Sequence, residues 1–128
     1  MRYLLDTHVI LWCAQGNDCL PAEVRAIIRD EECFYSIVSL WEVAIKQSLR
    51  KLDEDLVLSD LDRQCRLAGI QRVPLEVTHL ERIKTLPDIH RDPFDRLLVA
   101  QALEEGFVIV TCDRMISRYP VQTIWQQT

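Results

Sequence analysis

The chain has 128 residues, 48% of them hydrophobic and 27% charged, with a formal net charge of −5. These are the proportions of a folded chain of one domain's length, so general disorder is excluded and residues 1–128 are expected to form a single domain. The acidity argues against generic nucleic-acid binding, which leaves a basic footprint, unless an acidic cluster is neutralised by metal.

No apolar run approaches the roughly 18 residues of a membrane span. The opening stretch MRYLLDTHVILWCAQ is interrupted by Asp6 and carries no small-residue cleavage pattern, so the expected setting is cytoplasmic. Five cysteines, at 13, 19, 33, 65 and 112, are odd in number and lack C-x-x-C spacing. They predict reduced, mostly buried thiols, not a disulfide framework or a zinc site.

In chain order, Tyr3–Leu5 reads as a strand and Thr7–Gln15 as a helix. Pro21–Glu31 is a second helix, with proline at its first position. Cys33–Val38 is a strand, followed by a helix over Ser39–Lys51 that turns Leu40, Val43, Ala44 and Leu49 toward a core. Leu52–Ser59 is a loop. Ser59–Ala68 is helical and stops at Gly69, Ile70–Val73 is a weaker strand, and Thr78–Leu86 is a helix ending before Pro87. After an exposed stretch, Leu86–Arg91, comes the helix Asp92–Glu105, which stops at Gly106. Phe107–Thr111 is a strand, a short last helix begins near Asp113, and Gln122–Trp125 is a fifth candidate strand. Short β-rich strands alternating with helices predict an α/β domain. Its central, largely parallel sheet has four to five strands and is flanked by helices.

Acids recur where the chain leaves this sheet. Asp6 follows YLL and Asp113 follows FVIVTC, and the exits of parallel strands lie along one edge, where ligands bind. Glu42 sits in SLWE at the third position of a helix capped by Ser39. Asp95 sits in DPFD, where Asp92 is the N-cap and Pro93 the first helical residue. Each acid alone also fits ordinary helix-start grammar: S-x-x-E is a capping box, and aspartate at a helix start suits the macrodipole. Four carboxylates brought together would repel one another and require a cation. Without histidine or cysteine ligands, that cation would be Mg²⁺ or Mn²⁺, which suits phosphodiester hydrolysis.

The segments YLLDTHVILW, SIVSLWEVAIK, HRDPFDRLLVAQA and FVIVTCDRMI resemble, in order and spacing, the PIN-domain ribonucleases, in particular the VapC-like toxins of bacterial type II toxin–antitoxin systems. The likeness runs from about residue 2 to Trp125 and is weakest over 52–88. It implies a PIN-like fold and metal-dependent endoribonuclease activity, with one or two Mg²⁺ or Mn²⁺ ions. The partners it implies are an RNA substrate, a cognate antitoxin and a second copy in a homodimer. The acidic set falls on Asp6, Glu42, Asp95 and Asp113. Asp6 and Asp95 are the expected direct ligands, Glu42 a ligand or the orienter of the attacking water, and Asp113 a ligand to a second ion or one acting through water.

Around these, Thr7 and Thr111 fit helix capping at the strand exits, with hydrogen bonding to ligand carboxylates as the alternative. Asp92 fits a cap better than a ligand. His8 and His90 read as structural or solvated. Arg91, Arg96 and Arg114 could grip RNA phosphates or pair with neighbouring acids, and Lys46, Arg50 and Lys51 form a more distant basic stretch. Trp12, Trp41 and Phe94 are expected to be buried against the sheet. Two other functions compete. A non-catalytic binding module would use the acids only as caps. An Mg²⁺-dependent aspartyl-phosphotransfer domain would need a D-x-D motif at the end of the first strand, where this chain reads D-T-H, or a paired acidic dipeptide at that strand with a late lysine, and the sequence has neither.

Overall fold

A computed structural model describes residues 1–16 and 19–125. Its elements are β1 (Arg2–Leu5), α1 (Thr7–Ala14), α2 (Ala22–Asp30), β2 (Glu32–Ser36), α3 (Ile37–Ser48), α4 (Leu58–Leu67), β3 (Gln71–Val73), α5 (Val77–Ile83), α6 (Pro93–Glu105), β4 (Val108–Val110), a 3₁₀ turn (Ile116–Arg118) and β5 (Thr123–Ile124). The strands form one parallel sheet in the order β3-β2-β1-β4-β5. This is the predicted α/β architecture.

Strand alternation divides the core. Tyr3, Leu5, Cys33, Tyr35, Val108 and Val110 face one side, where they pack with α1, α2 and α4. Leu4, Phe34 and Ile109 face the other, against Leu97, Leu98 and Ala102 of α6. A parallel sheet covered on both faces explains why its strands are apolar runs and not alternating ones. The strand order also sets the position of the site. From β1 the chain builds outward through β2 and β3 on one side, then returns to add β4 and β5 on the other. The crevice beyond the ends of β1 and β4 is therefore the topological switch point of the sheet.

Several local expectations change. The second strand ends at Ser36, whose hydroxyl accepts the Val38 N–H at 3.0 Å and caps α3. Ser39 is therefore not the cap; it lies fully buried on the inner face of α3, and Glu42 is the sixth helical residue instead of the third. Leu40 and Val43 are buried as expected, but Ala44 is only half-buried and Leu49 is 58% exposed. Pro21 occupies the cap position of α2, outside the helix. Helix α5 ends at Ile83, three residues short of expectation, and the last helix shrinks to the Ile116–Arg118 turn. Cys33 and Cys65 are buried, Cys13 is half-buried, and Cys19 and Cys112 are exposed, so burial of the thiols is less general than expected. Trp41 is 49% exposed, packed edge-on against Phe94 with ring centroids 4.9 Å apart. Trp12 and Phe94 are half-buried.

Candidate active site

The pairing of β1 with β4 puts Leu5 opposite Val110, and the Asp6 N–H bonds the Val110 carbonyl at 3.1 Å. Asp6 thus leaves the sheet beside Thr111. Its Oδ1 accepts the Val9 N–H at 3.0 Å and caps α1, while its Oδ2 accepts a short hydrogen bond from the Thr111 hydroxyl. Thr111 Oγ1 in turn accepts the Asp113 N–H at 3.0 Å, and Asp113 Oδ1 accepts the Met115 N–H at 2.8 Å. One threonine therefore ties the acid after β1 to the acid after β4.

Glu42 enters from α3. Its Oε1 accepts the Thr7 hydroxyl at 2.6 Å, and its Oε2 meets Lys46 Nζ at 2.6 Å. The Thr7 and Ser39 hydroxyl oxygens lie 3.0 Å apart beneath this contact. Both threonines that could have been plain helix caps instead hold carboxylates. Asp95 enters from the first turn of α6, where Asp92 Oδ1 accepts the Phe94 and Asp95 N–H groups at 2.8 and 3.2 Å. Asp92 is the cap, as its position predicts.

The four acids share one field. Burial pushes the Asp95 carboxyl up to about 8, helped by the charges of Asp92, Glu42, Asp113 and Asp6. Burial also raises Asp6, against the opposing hydrogen bonds from Thr111 and the Val9 N–H. For Lys46, burial works against the charged form, but the hydrogen bond and charge of Glu42, with Asp92 and Asp95 beyond, leave it above its usual value. A buried, mutually repelling carboxylate set of this kind suits a hard divalent cation with oxygen ligands. His90, Asp95 and Asp113 can each offer one ligand atom, all within 4.8 Å of one another. The donor set therefore fits a divalent metal ion.

Two residues of this pocket escaped the sequence reading. His90 Nδ1 accepts the Asp92 N–H at 3.4 Å, which turns Nε2 toward Asp95 Oδ2 at 3.1 Å. The histidine is thus a partner of an acid, not a solvated bystander, whereas His8 is exposed and stacks near Trp12. Lys46 belongs to the pocket and not to a distant basic stretch. The i,i+4 spacing of Glu42 and Lys46 was the available signal.

Arg96 is a correction in the opposite direction. Its guanidinium donates to the Pro87 carbonyl at 3.0 Å, the Ile83 carbonyl at 3.3 Å and the Tyr119 hydroxyl at 3.2 Å, so it braces the segment before α6 and is not presented to RNA. Arg91 and Arg114 are exposed, and their side chains make no ion pair with the described residues.

Among the described residues no helix is long and apolar enough to cross a membrane. Comparison with curated proteins gives no sequence match. Among solved structures, the chain is similar to VapBC2 from Rickettsia felis bound to a promoter DNA fragment. The TM-score is 0.73 at 14% identity, covering 98% of this chain and 100% of that one. It is also similar to a toxin–antitoxin complex from Klebsiella pneumoniae (TM-score 0.57, 14% identity, 87% and 86% covered). A third likeness is to a PIN-domain endonuclease (TM-score 0.51, 13% identity, 91% and 74% covered). At these identities the likeness is one of fold. The family model for the PIN domain matches residues 3–122, nearly the whole length, and the chain belongs to that family.

Proposed function

We propose that the chain is an Mg²⁺- or Mn²⁺-dependent endoribonuclease, the toxin of a type II toxin–antitoxin pair. In this reading it acts in the cytoplasm as a homodimer and is restrained by a cognate antitoxin protein. The observation that carries the catalytic part is the convergence of Asp6, Glu42, Asp95 and Asp113 at the switch point of the sheet, with Asp95 pushed to about 8. Family membership and likeness to solved toxin–antitoxin assemblies support the rest.

A bound divalent ion would supply positive charge to the phosphodiester and activate the attacking water. Asp6, Asp95 and Asp113 are the residues to hold it, with Thr111 and His90 fixing the oxygens of Asp6 and Asp95. Glu42, held on both oxygens by Thr7 and Lys46, is better placed to orient the attacking water than to ligate. Asp92 caps the helix that carries Asp95. Arg91 and Arg114 are the cations available to RNA phosphates.

The test is cleavage of a mixed RNA pool by antitoxin-free protein with Mg²⁺, with Mn²⁺ and with EDTA, beside Asp95→Asn purified identically. The expected result is cleavage that requires metal and is lost in the variant. Equal cleavage by both proteins would reject Asp95 as a working acid. Absence of cleavage together with an unchanged melting temperature in excess Mn²⁺ would favour a binding module, because a true metal site must stabilise the fold.

A further inference from the structure

The pocket divides into two unequal halves. On the Glu42 side both carboxylate oxygens are already taken at 2.6 Å, by the Thr7 hydroxyl and the Lys46 ammonium. On the other side, Asp95 Oδ1 and Asp113 Oδ2 accept no hydrogen bond from the described residues, and each of Asp6's oxygens accepts a single one. Ligand atoms of His90, Asp95 and Asp113 gather there within 4.8 Å.

A Glu–Lys pair at i,i+4 is common on solvated helix faces, where it is only a surface contact. This one differs in two respects. The Glu42 side chain is 4% exposed and Lys46 31%, so the contact lies under cover. The ammonium also feels the charges of Asp92 and Asp95 at the start of α6, so its field reaches across the pocket and not only along α3.

Resting on the metal-dependent reading above, we infer that Lys46 is a built-in cation of the acid pocket. Its ammonium stands where a second ion would otherwise bind Glu42, so the chain takes a single divalent ion on the Asp6–Asp95–Asp113 side. An ammonium fixed by a helix is held at no cost in metal and keeps N–H donors beyond the one given to Glu42, which a phosphate oxygen can use. It also limits the charge of the site: adding one divalent ion to Lys46 leaves fewer uncompensated carboxylates without excluding the anionic substrate.

The test is a Mn²⁺ titration of antitoxin-free protein, counting ions per chain from the loss of the free-ion electron paramagnetic resonance signal, on the parent, Lys46→Gln and Lys46→Arg. Glutamine can still donate a hydrogen bond to Glu42 but carries no charge; arginine keeps the charge. The inference expects one ion per chain in the parent and in Lys46→Arg. In Lys46→Gln it expects a second ion, with several-fold tighter binding of the first. Two ions in the parent would overturn it whether or not the variants fold. One ion at unchanged affinity in Lys46→Gln would overturn it as well. No Mn²⁺ bound by the parent would instead remove the metal-dependent reading itself, which two ions in the parent would leave standing.

Discussion

Replacing Asp95 with asparagine should stabilise the metal-free protein, and by an amount that depends on pH. The Asp95 carboxyl rises from 3.8 to about 8 on folding, through burial and four neighbouring acids. A carboxyl whose folded value lies above its unfolded value binds its proton more tightly in the native state. Stability from this group is therefore fully present below 3.8 and is lost as pH climbs toward 8. Between about pH 5 and about pH 8 the loss has a ceiling of ~4 kcal/mol, at 1.36 kcal/mol per pH unit. The side chain keeps 15% exposure and the site can relax, so about half of that, ~2 kcal/mol, is the expected effect. For a chain of this length that is a difference of about 8 °C in melting temperature.

Asparagine is isosteric, carries no charge and keeps a polar atom facing His90 Nε2, so it removes the titration and little else. The assay is differential scanning fluorimetry of parent and Asp95→Asn across that pH range in EDTA, repeated with excess Mn²⁺. The gap between the two proteins should widen in favour of the variant as pH rises. Mn²⁺ should close the gap by stabilising only the parent. A gap that stays flat with pH would refute the reasoning, because the carboxyl would then ionise without cost in the folded pocket.

Thr111→Val strips a donor from Asp6 Oδ2 and an acceptor from the Asp113 N–H; urea titration should show a loss of ~1–3 kcal/mol, and Mn²⁺ affinity should fall roughly 10- to 100-fold. Asp92→Ala removes the cap of α6 and should cost about 1 kcal/mol, read as a drop of about 4 °C in melting temperature. Arg96→Met severs three bonds that brace the segment before α6, so it should lower stability by ~1–3 kcal/mol in urea. The same variant should leave RNA affinity, measured by anisotropy on the folded fraction, within about twofold, a difference well under 1 kcal/mol.

What the sequence disclosed and what it hid follow a physical division. Acids directly after apolar strands were legible because a parallel sheet sends its strand ends to one edge, and Asp6 and Asp113 meet there through Thr111. Asp92-Pro93 was legible because capping is local. Ser36 and Ser39 were not separable locally, since either could follow the strand. Burial of Ser39 beneath Thr7 and the pairing of Ser36 with Val73 at the end of β2 decide between them, and both are tertiary. The position of His90 depends on Tyr119, whose hydroxyl accepts the His90 N–H at 2.9 Å and donates to its carbonyl at 3.3 Å from 29 residues away. Arg96 turns inward onto the same segment for the same reason. No spacing rule contains those contacts.

Capping and metal binding looked like rival explanations of the acids, yet a carboxylate has two oxygens and can serve both. Asp6 gives Oδ1 to the Val9 N–H and Asp113 gives Oδ1 to the Met115 N–H, so each is fixed by its local bond while further lone pairs remain for a ligand. Asp95 accepts no backbone N–H among the described residues, and it is the acid driven to about 8. The two roles of Asp6 can be pulled apart. Asp6→Asn keeps an oxygen for the Val9 N–H and can turn its amide toward Thr111, so the fold should survive within about 1 kcal/mol of the parent. Asp6→Ala loses the cap as well and should fall by a further ~1 kcal/mol. Neither should gain stability from Mn²⁺, because both lack the charge. A full Mn²⁺ response in Asp6→Asn would show that the capping oxygen was the whole of this aspartate's work, and would move the ion away from the end of β1.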